Sequence, residues 1–182
     1  LGPIRMSAEA HLFEGLLGYF YRAQGYRVFA IMCGQTLTDC ETIDYKFAIP
    51  KAKCATCFVQ QKKFVDTFCI EPLYLKDYLT TKESNEIKET SRKVAANGPI
   101  TYRGIDFSKH VHSGVMRVFK VSKLEEKDID WIKRFTRTTL TTFVAGCNMM
   151  KKYAPEHLIL SHGTYSTWGG LSEAANFSQV HQ

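Results

Sequence analysis

The segment that most restricts the fold of this chain lies near its end. The apolar run His157-Leu158-Ile159-Leu160 follows Pro155 and leads into Ser161-His162-Gly163-Thr164-Tyr165-Ser166-Thr167-Trp168-Gly169-Gly170. Upstream of the proline, from Glu125 to Tyr153, the residues Ile129, Ile132, Thr136, Leu140, Phe143, Cys147 and Met150 recur at steps of three or four. That is the period of a helix with one buried face. A long helix, a short apolar strand and a loop running into a new helix near Gly170 to Ser172 make an α/β crossover. In such folds the carboxyl ends of strands and the amino ends of helices converge, and ligands bind where they meet.

The start of the chain has the same alternation. Ser7 is a plausible N-cap for a helix over Ala8 to Ala23, in which Leu12, Phe13, Leu16, Leu17 and Phe20 form a stripe expected to be buried. His11, Gly15, Gly18 and Arg22 fall on the opposite face, read as solvated, the alternative being that the glycines admit a close neighbour. Gly25 ends the helix, and Tyr26 to Met32 reads as a strand. A strand ending at Ile4 would complete a βαβ unit, with the loop Arg5 to Glu9 beside the His162 loop. Phe58 to Asn97 reads as a helical layer broken at Pro72, and a further helix runs through Val111, Val115, Val118 and Phe119. The expected fold class is therefore α/β: one domain over 1–182 with a parallel sheet flanked by helices, a cysteine-rich insertion at 33–57 and a helical layer at 58–97.

A net charge of +6 and a pI near 9.0 suit anionic ligands such as nucleotide phosphates, acidic glycans or a membrane surface. The lysines and arginines are scattered apart from Lys51 and Lys53, Lys62-Lys63 and Lys151-Lys152, so nucleic acid is not expected as the main partner. No apolar run reaches the roughly 20 residues of a membrane span, and the first residues lack a secretory pattern, which points to a cytoplasmic location. Neither G-x-G-x-x-G nor G-x-x-x-x-G-K-[ST] occurs.

Cys33, Cys40, Cys54 and Cys57 are spaced C-x6-C-x13-C-x2-C. Reduced thiols with this spacing, ending in a Cys54-x-x-Cys57 knuckle, fit either a structural zinc site or unrelated buried cysteines. Cys69 and Cys147 fall in helical patterns and are expected in the core.

Taken in order, the glycine-punctuated first helix, Met32-Cys33-Gly34, Cys40-Glu41, Cys54-x-x-Cys57, Tyr102-Arg103-Gly104-Ile105 and Ser161-His162-Gly163-x-Tyr165-x-x-Trp168-Gly169 resemble one family. It is the amino-terminal half of GT-B-fold glycosyltransferases of the capsule and surface polysaccharide biosynthesis type. The resemblance implies a Rossmann-like acceptor-side domain whose partner, a carboxyl-terminal domain for the nucleotide-sugar donor, is missing from this chain, so that the chain alone is not expected to be active. It implies a glycan or lipid-linked acceptor, a place at the inner membrane face, and no catalytic metal. Transfer needs a base for the acceptor hydroxyl, for which His162, His11 and Glu9 are the candidates. Gly163, Tyr165, Trp168 and Arg103 are the candidate substrate-binding residues, and a structural zinc would fall to Cys33, Cys40, Cys54 and Cys57. The alternative expectation is a zinc-knuckle module that binds nucleic acid or protein.

Overall fold

In chain order the elements are helix α1 (Ala8–Ala23), strand β1 (Phe29–Met32), helix α2 (Pro50–Phe68), strand β2 (Glu71–Tyr74), a 3-10 turn at Leu75–Tyr78 and helix α3 (Thr81–Arg92). There follow strands β3 (Thr101–Tyr102) and β4 (Ile105–Asp106), helix α4 (Ser108–Phe119), a 3-10 turn at Glu126–Asp128, and helices α5 (Ile129–Tyr153) and α6 (Ser166–Phe177). This computed structural model describes residues 1–2, 8–43, 45, 50–95 and 98–182, the side chains of 8–11 and 50–51 excepted. The chain is a mixed α/β protein with a small parallel two-stranded sheet flanked by helices.

Strands β1 and β2 run parallel, with Phe29 opposite Glu71 and Met32 opposite Tyr74, and α2 makes the crossover between them. Backbone hydrogen bonds extend this pairing sideways. The Leu1 nitrogen donates to Phe29 O at 2.9 Å and Ile31 N donates to Leu1 O at 2.8 Å, the alternating pattern of a parallel ladder. Gly2 N donates to Ile159 O at 3.1 Å, and Leu158 N to His181 O at 2.7 Å. The spatial order is thus His181, residues 157–159, residues 1–2, β1, β2.

Successive side chains of a strand point to opposite faces, and β1 uses both. Ala30 and Met32 pack with Phe64, Val65 and Ile70 on the α2 side, whereas Ile31 packs with Leu73, Met149, Met150 and Leu171 on the α5 and α6 side. Both faces are covered, which explains why β1 reads as a continuous apolar run. α5 is the hub, contacting α3, α4 and α6 and carrying the fully buried Ile132, Phe135, Leu140 and Phe143. α6 lies close along it because Gly170 sits on the α5 backbone and Gly146 faces Ala174, so side chains at these positions would meet α5 or α6 directly.

Several expectations are corrected by these contacts. α1 has the expected span, but the expected buried stripe is its exposed face: Leu12, Phe13, Leu16 and Phe20 are 55–76% exposed. Gly15 and Gly18 are buried instead, against Phe68 and against Ile70 and Leu1. A helix that meets its neighbour through glycine approaches so closely that the bulky face is turned outward. The expected break at Pro72 in the helical layer 58–97 is more than a break, since Pro72 lies inside strand β2. The proline is tolerated because, among the described residues, β2 pairs with β1 alone. α2 starts at Pro50, so Cys54 and Cys57 lie one helical turn apart inside it rather than on a knuckle in an irregular insertion. Cys69 is exposed just beyond α2, while Cys147 is buried as expected. The predicted strand end at Ile4 lies outside the described residues.

Candidate functional site

β1 delivers the chain into an irregular loop, 33–43, at the carboxyl edge of the parallel segments. Asp39 fixes the middle of this loop. It is 2% exposed, and its carboxylate accepts from the Thr38 hydroxyl and the Tyr45 phenol, each at 3.0 Å, and from the Arg134 guanidinium of α5. Thr138 Oγ1 donates to the Asp39 carbonyl at 2.6 Å, and Arg134 stacks 4.1 Å over the Trp131 ring. Burial, and then the Asp39 charge, push the Tyr45 phenol well above its usual range, so it stays a donor to that carboxylate.

Two residues on, Glu41 reaches the start of α6. Its Oε1 accepts from the Thr167 backbone N–H at 2.9 Å and its Oε2 from the Thr167 hydroxyl at 2.7 Å. A carboxylate here complements a first-turn amide and the positive end of the helix dipole. The opening amide of α6 expected to face a substrate anion is therefore taken by the protein's own side chain.

The loop after residues 157–160 is fixed from the other side by His110 of α4. His110 Nδ1 lies 3.0 Å from the Thr164 carbonyl, which can only accept, so Nδ1 carries a proton; Nε2 lies 2.8 Å from Glu173 Oε1 of α6. Ser166 Oγ donates to the His110 carbonyl at 3.2 Å, and Gly169 leaves the space that the imidazole fills. With only 3% of its side chain exposed, His110 positions the loop and does not meet ligands itself.

On that loop the His162 ring packs 4.1 Å from Trp168 and 4.9 Å edge-on from Tyr165, while the Arg117 guanidinium lies 5.4 Å over Tyr165. The predicted residues His162, Gly163, Tyr165 and Trp168 are thus brought together as a half-buried aromatic shelf with a cation at its edge, Gly163 lying against Ser172 of α6. Arg103 does not join them. It occupies the hairpin turn between β3 and β4 with φ 49° and lines a cavity with Phe177, at the opposite end of α6. The side chains of Glu9 and His11 lie outside the described residues. Cys33, Cys40, Cys54 and Cys57 all line one cavity of about 30 Å3, together with Thr167, although among the described residues no group of three or more His, Cys, Asp or Glu is positioned to hold a metal ion. Burial pushes the Cys33 thiol up to about 11.

Asp39, Glu41, His110, Arg134 and Glu173 were not singled out from sequence as site residues. Two of them carry a signal: Asp39 and Glu41 are the acidic residues of a cysteine-bearing loop directly after a strand.

The roomier cavities lie elsewhere. One of about 290 Å3 is lined by Tyr21, Tyr26, Arg27, Tyr153 and His157, and one of about 580 Å3 by Arg103, Asn148 and Phe177. Both sit where α5 or α6 ends, the first beside Arg27 and the second beside Arg103 and Lys151. The His162 edge differs from them in its aromatic shelf with the Arg117 cation over Tyr165, the opening amide of α6 being held by Glu41.

No family profile matches the chain, and no curated protein or solved structure matches it either. The geometry at the carboxyl edge therefore bears the functional argument alone. Among the described residues no helix is long and apolar enough to cross a membrane.

Proposed function

We propose that this chain is the acceptor-side domain of a glycosyltransferase that moves a sugar from a nucleotide-sugar donor to a glycan or lipid-linked acceptor, the donor being held by a further α/β domain. The observation that carries this reading is the meeting, at the carboxyl edge of the parallel segments, of the Asp39-anchored loop with the His162, Tyr165 and Trp168 shelf. The order of the parallel segments and the helices on both faces support a Rossmann-like arrangement, in which this edge is the ligand edge.

The residue types suit the reaction. His162 takes the proton of the acceptor hydroxyl; that oxygen attacks the anomeric carbon as its bond to the phosphate breaks, and the nucleoside diphosphate leaves. The ring faces of Tyr165 and Trp168 are apolar surfaces on which a pyranose stacks, and Arg117 offers a charge to an acidic acceptor. The exposed apolar face of α1, with Leu12, Phe13, Leu16 and Phe20, supports a lipid-linked acceptor handled at a membrane surface, the cytoplasmic inner face being the one expected from sequence.

The test is transfer from a panel of nucleotide sugars by the full-length protein. His162→Ala is expected to lower kcat by about 10²–10⁴-fold, the range for a lost general base, with the thermal midpoint unchanged. Unaltered turnover in that variant removes His162 from the mechanism, and absence of transfer with every nucleotide sugar removes the reaction class.

A further inference from the structure

We propose that Cys33, Cys40, Cys54 and Cys57 form a tetrahedral thiolate site for one zinc ion, which ties the loop after β1 to α2 beside the opening of α6. Three stretches of chain converge to make it. Cys33 follows β1 directly, Cys40 lies between the anchored Asp39 and Glu41, and Cys54 and Cys57 share one face of α2 by their spacing of one turn.

The surroundings of the sulfurs distinguish this cluster from four small residues filling a gap. Two of the sulfurs have a hydrogen-bonding group beside them: the Thr42 hydroxyl lies 3.0 Å from Cys40 Sγ, and Gln61 Nε2 donates to Cys57 Sγ at 3.4 Å. Gln61 is itself 2% exposed and is oriented by Gly34 N–H, which donates to its Oε1 at 3.3 Å. Thiols that merely pack need no such donors; thiolates that share a cation do, because hydrogen bonds to the ligand atoms hold them and spread their charge. The cavity of about 30 Å3 is large enough for a small guest such as a metal ion. Lys53, on the same wall, brings a positive charge. As the side chains stand, the sulfurs ring this cavity without meeting at a point, and zinc binding draws them in while releasing their S–H protons.

The experiment is a Co2+ titration of the purified full chain, reduced and stripped with chelator, followed by competition with Zn2+. About one equivalent is expected to bind with the intense visible bands of tetrahedral cobalt and a sulfur-to-cobalt charge-transfer band, all abolished by Zn2+. Cys54→Ser is expected to weaken binding by at least about 100-fold, Gln61→Ala by about 10-fold with the same spectrum, and Cys69→Ser and Cys147→Ser not at all. Should Cys54→Ser fail to fold, thiol titration of the unaltered chain decides the matter, since zinc must protect four thiols from a disulfide reagent. Absence of stoichiometric binding, a spectrum without sulfur ligation, or binding that survives Cys54→Ser in a folded protein overturns the site.

Discussion

Alanine at Gly15 tests the inverted orientation of α1. A Cβ added there would overlap the Phe68 ring, and one at Gly18 would lie 2.7 Å from Ile70 Cδ1 and 2.9 Å from Leu1 Cδ1. The overlap at Gly15 involves three atoms of the Phe68 ring, itself packed on Phe64 with centroids 5.3 Å apart, and is deeper than the overlap of a Gly18 Cβ with Ile70. Overpacking of this kind costs about 1–3 kcal/mol, offset by the roughly 0.5–1 kcal/mol that alanine gains over glycine inside a helix. Gly15→Ala is therefore expected to destabilise by about 0.5–2 kcal/mol, and Gly18→Ala by less. On the other face Phe13 and Leu16 are 76% and 55% exposed, and truncating either to alanine should change stability by no more than about 0.5 kcal/mol. Urea unfolding of the four variants, read by far-UV circular dichroism with a common m-value, measures all four quantities. If the apolar stripe were the buried one, the signs would exchange: Gly15→Ala would stabilise by up to about 1 kcal/mol and Leu16→Ala would cost about 2–5 kcal/mol. That outcome refutes the packing of α1 described above.

Three further outcomes follow from the anchoring contacts. Asp39→Ala should cost about 2 kcal/mol, below the value for a fully buried pair because the Arg134 side chain is 46% exposed, and the same chemical denaturation measures it. Glu41→Ala, which frees the Thr167 amide and hydroxyl, should cost about 0.5–2 kcal/mol, as for loss of a helix cap. Burial raises the Glu14 carboxyl to about 7. Because the folded state then holds this proton more tightly than the unfolded one, the favourable contribution is complete below about pH 4.5 and is lost as pH rises towards 7; Glu14→Gln should flatten the dependence of the thermal midpoint over that window.

What was legible from sequence was periodicity. The stripe from Ile132 to Met150 on α5, the spans of α1 and α4 and the run entering β1 all follow from local apolar spacing, and in all but α1 the packing partner accepts the bulky face. α1 departs from this because its partner faces it with Phe68 and Ile70, so glycine and not leucine forms the contact; nothing within α1 itself reveals that. β2 was hidden by its four-residue length and by Pro72, which only an edge position permits. The grouping of His162, Gly163, Tyr165 and Trp168 was legible because the four are neighbours in sequence. Asp39, Glu41, His110 and Glu173 act across separations of 54 to 126 residues, and such pairings exist only once the fold brings them together. The four cysteines line one cavity, two of them from a helix instead of the expected knuckle, and among the described residues they are not positioned to hold a metal ion.

Ligand binding at the carboxyl edge of the parallel segments, as proposed, is tested by an NMR titration of the isotope-labelled full-length protein with a nucleotide sugar and a soluble glycan acceptor, following side-chain resonances of His162, Trp168 and Tyr165 alongside those of Tyr26, Tyr153 and His157 in the 290 Å3 cavity. Saturable shifts centred on His162 and Trp168, with the second group unmoved, are the predicted result. Shifts centred on Tyr26, Tyr153 and His157, with the His162 loop silent, would contradict it.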